Sequence, residues 1–320
     1  MKLVFAAGIT LMLSVTAVSA AEPPPAATVA GSHPLKGRIW QPAEGRWLTP
    51  EQLVAMTLNA GIVALGEIHD NPDSHALQSW MVRRLGAAGR RPVTAFEMID
   101  TDRQATLDAA RSDLTGLGDA VEWDKRGWPA WTLYRPIAEA TVAAGGDLRA
   151  ANLPAALTRQ ISRNAEPAEI AERFGLDVPL SPADAKAMTD EIRDSHCNLL
   201  PEAVIPAMVR VQRARDAAMA EVVADQAARP EISPVVLIAG AGHARADRGV
   251  PTRLRMLVPG VTVLSIAFLE VEADETNPAA YAEGLGAKTL PFDAVWFTGR
   301  AEREDPCAQM ERHVKKKDGK

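Results

Sequence analysis

Two short apolar runs, far apart in the chain, end in the same four-residue pattern. Ile62-Val63-Ala64-Leu65 leads into Gly66-Glu67-Ile68-His69, and Val235-Val236-Leu237-Ile238-Ala239 leads into Gly240-Ala241-Gly242-His243. Runs this short, apolar at every position, are expected to be strands buried on both faces. Residues 92–96, 261–268 and 294–297 have the same character, residues 147–151 form a shorter run, and 294–297 is expected to close the sheet. Helical patterns lie between them at 76–88, 102–112, 129–144 and 251–257. Such an alternation requires an α/β fold, a largely parallel sheet with helices on both faces. A long helical stretch, 182–228, is interrupted near Pro201 and Pro206 because proline cannot donate into the helix ladder. Residues 153–230 are therefore expected to form an inserted helical cap over one end of the sheet.

In open parallel sheets, the connections beyond the carboxyl ends of the strands are free to carry function. The expected strands are followed there by Glu67, His69 and Asp70, by Glu97, by Asn152, and by His243 and Arg245. A glycine ending a buried strand permits a sharp turn, and the histidine three residues later is thrown across the mouth of the sheet. Two imidazoles with the carboxylates of Glu67 and Glu97 form a set able to hold a divalent metal while leaving positions open. The same set can do general acid/base work without metal, or the histidines can simply lie in the caps of the following helices. His75, on the first turn after the first motif, is placed to join His69.

The chain has 320 residues, 47% hydrophobic and 24% charged, an ordinary globular composition. Its net charge of −6 argues against a nucleic-acid partner, whose phosphates need a basic surface. The run Lys315-Lys316-Lys317 is expected to be a solvated end. Lys2, an apolar stretch from Leu3 to Val18 and small residues up to Ala21 have the form of a secretory signal peptide cleaved after Ala20. No cysteine stands near that exit to carry a lipid anchor, and no other run approaches the roughly 20 apolar residues of a membrane span. The expected order is signal peptide 1–20, flexible Pro- and Ala-rich leader 21–36, α/β domain 37–300 and tail 301–320, in a periplasmic or secreted protein. The two cysteines, Cys197 and Cys307, can form one disulfide pinning the tail to the body, remain two free thiols, or leave Cys197 for chemistry.

Taken together, LGEIHDNPDSHALQ, Phe96-Glu97-Met98, AANLP, the Gln212-x-x-Arg215-Asp216-x-x-Met219-Ala220 segment and IAGAGHARADRGVP resemble the ChaN family of haem-binding uptake proteins. The resemblance covers about residues 62–263. That family belongs to a superfamily that also holds TIKI-type metalloproteases, TraB-like proteins and erythromycin esterases. In the protease branch, the resemblance implies that His69, Glu97 and His243 are metal and catalytic groups. In the ChaN branch, it implies haem binding, tyrosine ligation of iron and a haem-linked homodimer. The only tyrosines are Tyr134 and Tyr281. Tyr134 lies in a stretch dense in Trp123, Trp128 and Trp131, which can wall a flat macrocycle or form a packing cluster. His196, beside Cys197, is a second candidate haem ligand. No Cys-x-x-Cys-His run occurs, which excludes covalent c-type attachment.

Met208, Gln212, Arg215, Asp216 and Met219 share one helix face by their spacing. They form either a core stripe edged by an Arg–Asp pair or a layer that orients the site histidines. His33 and His313 lie near the ends and take no role. The sequence thus describes an exported haem- or metal-binding protein serving haem, iron or metal acquisition. Glu67, His69, Glu97 and His243 are at its centre, with Asp70, His75, Asn152, Gln212, Arg215, Asp216 and Arg245 around them. The alternatives are a metal-dependent hydrolase with Glu97 or Glu67 as base, and a metal-free module for a small-molecule ligand.

Overall fold

The computed structural model describes residues 22–24, 26, 32–229 and 234–318, with side chains as far as Arg312. The expected signal peptide lies outside the described residues.

Eight strands form one sheet: β1 (Ile39–Gln41), β2 (Arg46–Leu48), β3 (Ile62–Glu67), β4 (Val93–Asp100), β5 (Asp147–Asn152), β6 (Val235–Gly240), β7 (Val263–Glu270) and β8 (Ala294–Thr298). Their order is β2-β1-β8-β7-β3-β6-β4-β5. The pairings among β3 to β8 are all parallel, as expected for buried apolar strands. β8 does not close the sheet. An antiparallel hairpin of β1 and β2 extends it on that side, with the rings of Trp40 and Trp47 4.8 Å apart.

Alternation within the strands explains why they are apolar throughout. Val63, Leu65, Val236 and Ile238 pack on one face against Leu77, Trp80 and Met81 of the helix Pro72–Ala87 and Ile137 of the helix Trp131–Ala143. Ile62, Val235, Leu237 and Ala239 pack on the other against Met219, Ala220 and Val223 of the helix Ile205–Ala227. Each side chain leaves water on its own face, contributing roughly 25 cal/mol per Å² of buried apolar surface.

The expected cap is present as the helices Ala155–Ser162, Ala168–Arg173, Pro182–Ser195 and Ile205–Ala227. Its own core includes Leu153, Ile161, Phe174, Leu176 and Ala214. The second half of the last helix is part of the sheet's flank, so cap and sheet are joined by one continuous element. At the ends, Leu35 is buried, which anchors the last part of the stretch expected to be a flexible leader. The segment after residue 300 is also docked: Arg303 pairs with Asp70 and Glu270, and Cys307 is bonded to Cys197 with Cα atoms 5.5 Å apart.

Candidate functional site

β3 and β6 are neighbours, in register from Ile62 opposite Val235 to Glu67 opposite Gly240. Their carboxyl ends therefore deliver both Gly-x-x-His turns to one place. The two glycines are reciprocal. A Cβ on Gly66 would stand 2.7 Å from Ala244 Cβ and 2.9 Å from Ala241 Cα, inside the second turn. A Cβ on Gly240 would stand 2.9 Å from His69 Nε2, on the first. Each turn occupies the space that a side chain on the other would fill. Asn71 completes the first turn: its Oδ1 accepts from the N–H groups of Asp73 and Ser74 at the start of the helix Pro72–Ala87, and its Nδ2 donates to Glu270 and to Gly299 O.

Glu67 is buried at the end of β3 with both oxygens engaged. Oε1 accepts from Tyr134 OH at 2.6 Å and lies 2.9 Å from His69 Nδ1; Oε2 accepts from Gln78 Nε2 at 2.8 Å and lies 3.4 Å from His75 Nδ1. Burial alone would raise its pKa, but the neighbouring His75 and His69 outweigh that and bring it down to about 2. His69, in turn, is pulled down by burial and raised on balance by Glu67 and Glu97. His75 is likewise lowered by burial, raised on balance by Glu67, and its Nε2 donates to His69 O at 2.8 Å.

The second cluster stands alongside. β4 runs on past the end of its pairing with β6, which places Glu97 inside the strand beside the β6 tip, where its Oε2 accepts from Gly240 N–H at 2.8 Å. His243 lies between two carboxylates, with Nε2 3.3 Å from Glu97 Oε1 and Nδ1 2.6 Å from Asp216 Oδ1. Burial opposes its charge, but Glu97 and Asp216 prevail and push it up to about 10. The Gln212 amide lies 3.3 Å from the same Nδ1. The spacing on the Ile205–Ala227 helix thus aims Gln212 and Asp216 at His243, while Met208 lines the cavity and Met219 is buried against the sheet.

The structure brings Glu67, His69, Glu97 and His243 together, but not as a ligand set for a bare metal ion. Among the described residues, no three of His, Cys, Asp and Glu converge in that way. Both nitrogens of His243 face carboxylates, and both oxygens of Glu67 are engaged within the protein.

Over this floor, and under the cap, lies a cavity of about 1010 Å³, at the top of the roughly 300–1,000 Å³ range of small-molecule sites. Its floor includes Glu67, His69, Glu97 and His243; Trp128 forms a side, with its ring centroid 4.9 Å from that of His69; Met188, Ile192, Met208 and Val211 form an apolar roof. His196 also lines it. Its Nδ1 donates to Ile192 O at 2.8 Å, which leaves Nε2 as the available nitrogen.

Several expected residues lie elsewhere. Tyr134 is fully buried behind Glu67, against His75 and Trp123, and does not line the cavity. Burial and the Glu67 charge push its pKa far up, and its hydroxyl donates to Glu67, so it stands as a neutral phenol facing that carboxylate. Tyr281 packs on Phe297, away from the site. Of the tryptophans, Trp128 is wall while Trp123 and Trp131 are packing. Arg245 follows His243 closely in sequence, yet its turn sends it into the protein, onto Asp247 and Leu285 O. Asp70 pairs with Arg303 at 2.7 Å. Asn152 binds the N–H of Leu153 and lines a neighbouring cavity. Gln78, which donates to Glu67, carries no motif of its own in the sequence; its only signal is its place three residues after His75 on the same helix face.

Paired histidine–carboxylate clusters at the strand tips of a largely parallel sheet, beneath a helical cap, thus form a pocket at the sheet rim. This chain belongs to the family described as haem-binding uptake, Tiki superfamily, ChaN, whose model matches residues 53–254. It is similar to ChaN of Campylobacter jejuni, described for cofacial haem binding, at 22% identity and a TM-score of 0.63, covering 81% of this chain and 95% of that one. It is also similar to a mutant of the erythromycin esterase EreC in its open conformation, at 16% identity and a TM-score of 0.42, covering 82% of each chain. No curated protein matches the chain in sequence.

Proposed function

We propose that this chain binds haem in the cavity between the sheet rim and the cap. The observation that carries this reading is the composition of that cavity: an apolar roof and an indole wall for a flat macrocycle, with imidazoles on floor and roof for its iron. His69 and His196 are the residues that would hold the iron. Each has its Nδ1 occupied, His69 by the Glu67 carboxylate and His196 by Ile192 O, the arrangement that fixes ring orientation and raises the basicity of a metal-ligating histidine. Bound haem would supply a redox-active iron or be a cargo, and the chain's own contribution is to seat the ring and exclude water.

In the same reading, the protein is exported and takes part in haem or iron acquisition. The charged and apolar start of the sequence supports export, as does the Cys197–Cys307 bond, which suits an oxidising compartment. A haem-linked homodimer belongs to this reading as well. Titration with haemin tests it. A saturable shift of the Soret band, lost in His69→Ala and His196→Ala, is the expected result; absence of binding by the wild-type protein overturns it. Size exclusion with and without haemin reads the dimer.

A second reading, hydrolysis, is favoured by the His69–Glu67 pair standing next to Glu97, because an imidazole backed by a carboxylate is the arrangement of a general base. Ester or amide cleavage that disappears in His69→Ala and falls in Glu67→Gln, in protein that takes up no haemin, would select it.

A further inference from the structure

Next to the main cavity is a smaller one of about 500 Å³, and Trp128 and Arg215 line both. Its walls carry five cationic side chains, Arg103, Lys125, Arg126, Arg159 and Arg215, against two carboxylates, Asp100 and Glu122. The carboxylates are committed: Glu122 to Arg103 and Lys125, and Asp100 to Arg126 at 2.7 Å. Arg159 and Arg215 therefore have no carboxylate partner among the described residues. Arg215 is half-buried, and its Nε is sealed from water without an acceptor. That nitrogen has lost hydration and gained no acceptor in its place, unless an anion arrives.

Two further groups point the same way. Ala155 begins the helix Ala155–Ser162 and lines this annex; the helix has no side-chain cap, so no side chain meets its first N–H groups and the positive end of its dipole. Asn152 also lines it, and because its Oδ1 is taken by Leu153 N–H, its amide NH₂ is left to donate.

We propose that the annex receives the carboxylate groups of a ligand whose apolar body occupies the main cavity, with Arg215 at the junction making the principal contact and Arg159 the outer one. This rests on the haem reading and refines it: haem carries two carboxylates on one edge of an otherwise apolar ring. The annex would then fix which edge of the ring enters first.

Visible titration with haemin and with its dimethyl ester, which has the same ring without the charges, tests this. The wild-type protein should bind haemin at least about tenfold more tightly than the ester, the preference a charge-assisted hydrogen bond confers. Arg215→Gln should remove most of that preference by weakening haemin alone, and the exposed Arg159→Gln should remove a smaller part. Equal wild-type affinity for both ligands, or variants that weaken both alike, overturns the annex and leaves haem binding in place. Wild-type protein that binds neither ligand overturns both.

Discussion

Nδ1 of His69 lies 2.9 Å from Oε1 of Glu67, two residues earlier in the chain, and that carboxyl group is sealed from solvent while the imidazole reaches the cavity. Glu67→Gln keeps the shape but removes the charge that orients and strengthens the ring. Haemin affinity should fall about 10- to 100-fold, the usual cost of losing such a partner, read as a shift of the titration midpoint at constant Soret wavelength.

Tyr134 supports the same carboxylate from behind, at 2.6 Å. Tyr134→Phe should lower stability by about 1.5–3 kcal/mol, the worth of a hydrogen bond to a charged group, measured by denaturant unfolding. The haemin spectrum should remain that of the wild type. A spectrum that changes on this substitution would restore tyrosine to the iron.

The pairing of His243 with Glu97 and Asp216 makes stability depend on pH; burial holds Asp216 above the ordinary carboxylate range, so its share is lost as pH rises, in the same direction as that of His243. His243 is raised from 6.5 to about 10, so its contribution is complete below pH 6.5 and is lost as pH rises through about 10. His69 and His75 are shifted in the same direction. Glu67 and Glu97 are lowered from 4.5, so theirs is complete above pH 4.5 and is lost in acid. Stability should be highest between pH 4.5 and 6.5 and decline toward pH 10 by an amount on the order of a few kcal/mol, with the melting temperature falling in step. Thermal melts across pH 5–10 measure this, and a flat profile contradicts the charged pairing.

Gly240→Ala puts a methyl group 2.9 Å from His69 Nε2. The imidazole should be displaced, lowering haemin affinity while the fold persists. Gly66→Ala meets Ala241 backbone and Ala244 Cβ instead, and should cost about 1–3 kcal/mol of stability as overpacking. Melting and haemin titration of the two variants separate the effects.

The parts of the fold legible in the sequence were those set by local pattern. The apolar runs marked β3, β6 and β7, and the proline interruptions marked the break between the last two cap helices. The three-residue strands of the hairpin were not legible, being too short to show a period. The same boundary divides the site. Glu67 closes β3, and His69 and His243 follow the tips of β3 and β6, which meet because those strands pair; Glu97 lies inside β4, beside the β6 tip, where the expected strand was one residue too short to include it. Tyr134 and Gln78 reach Glu67 from helices whose rotation against the sheet is decided by packing, which no short motif records. Arg245 misled for the opposite reason: closeness in sequence to His243 suggested a shared direction, and the turn reversed it.

The floor of the cavity belongs to the backbone ladder that joins β3 to β6, whereas most of its roof is a helical insertion with a separate core. The helix Ile205–Ala227 ties the two together, because it supplies Met208 and Val211 to the roof and Gln212 and Asp216 to His243, so a change of roof on that helix is felt at the floor.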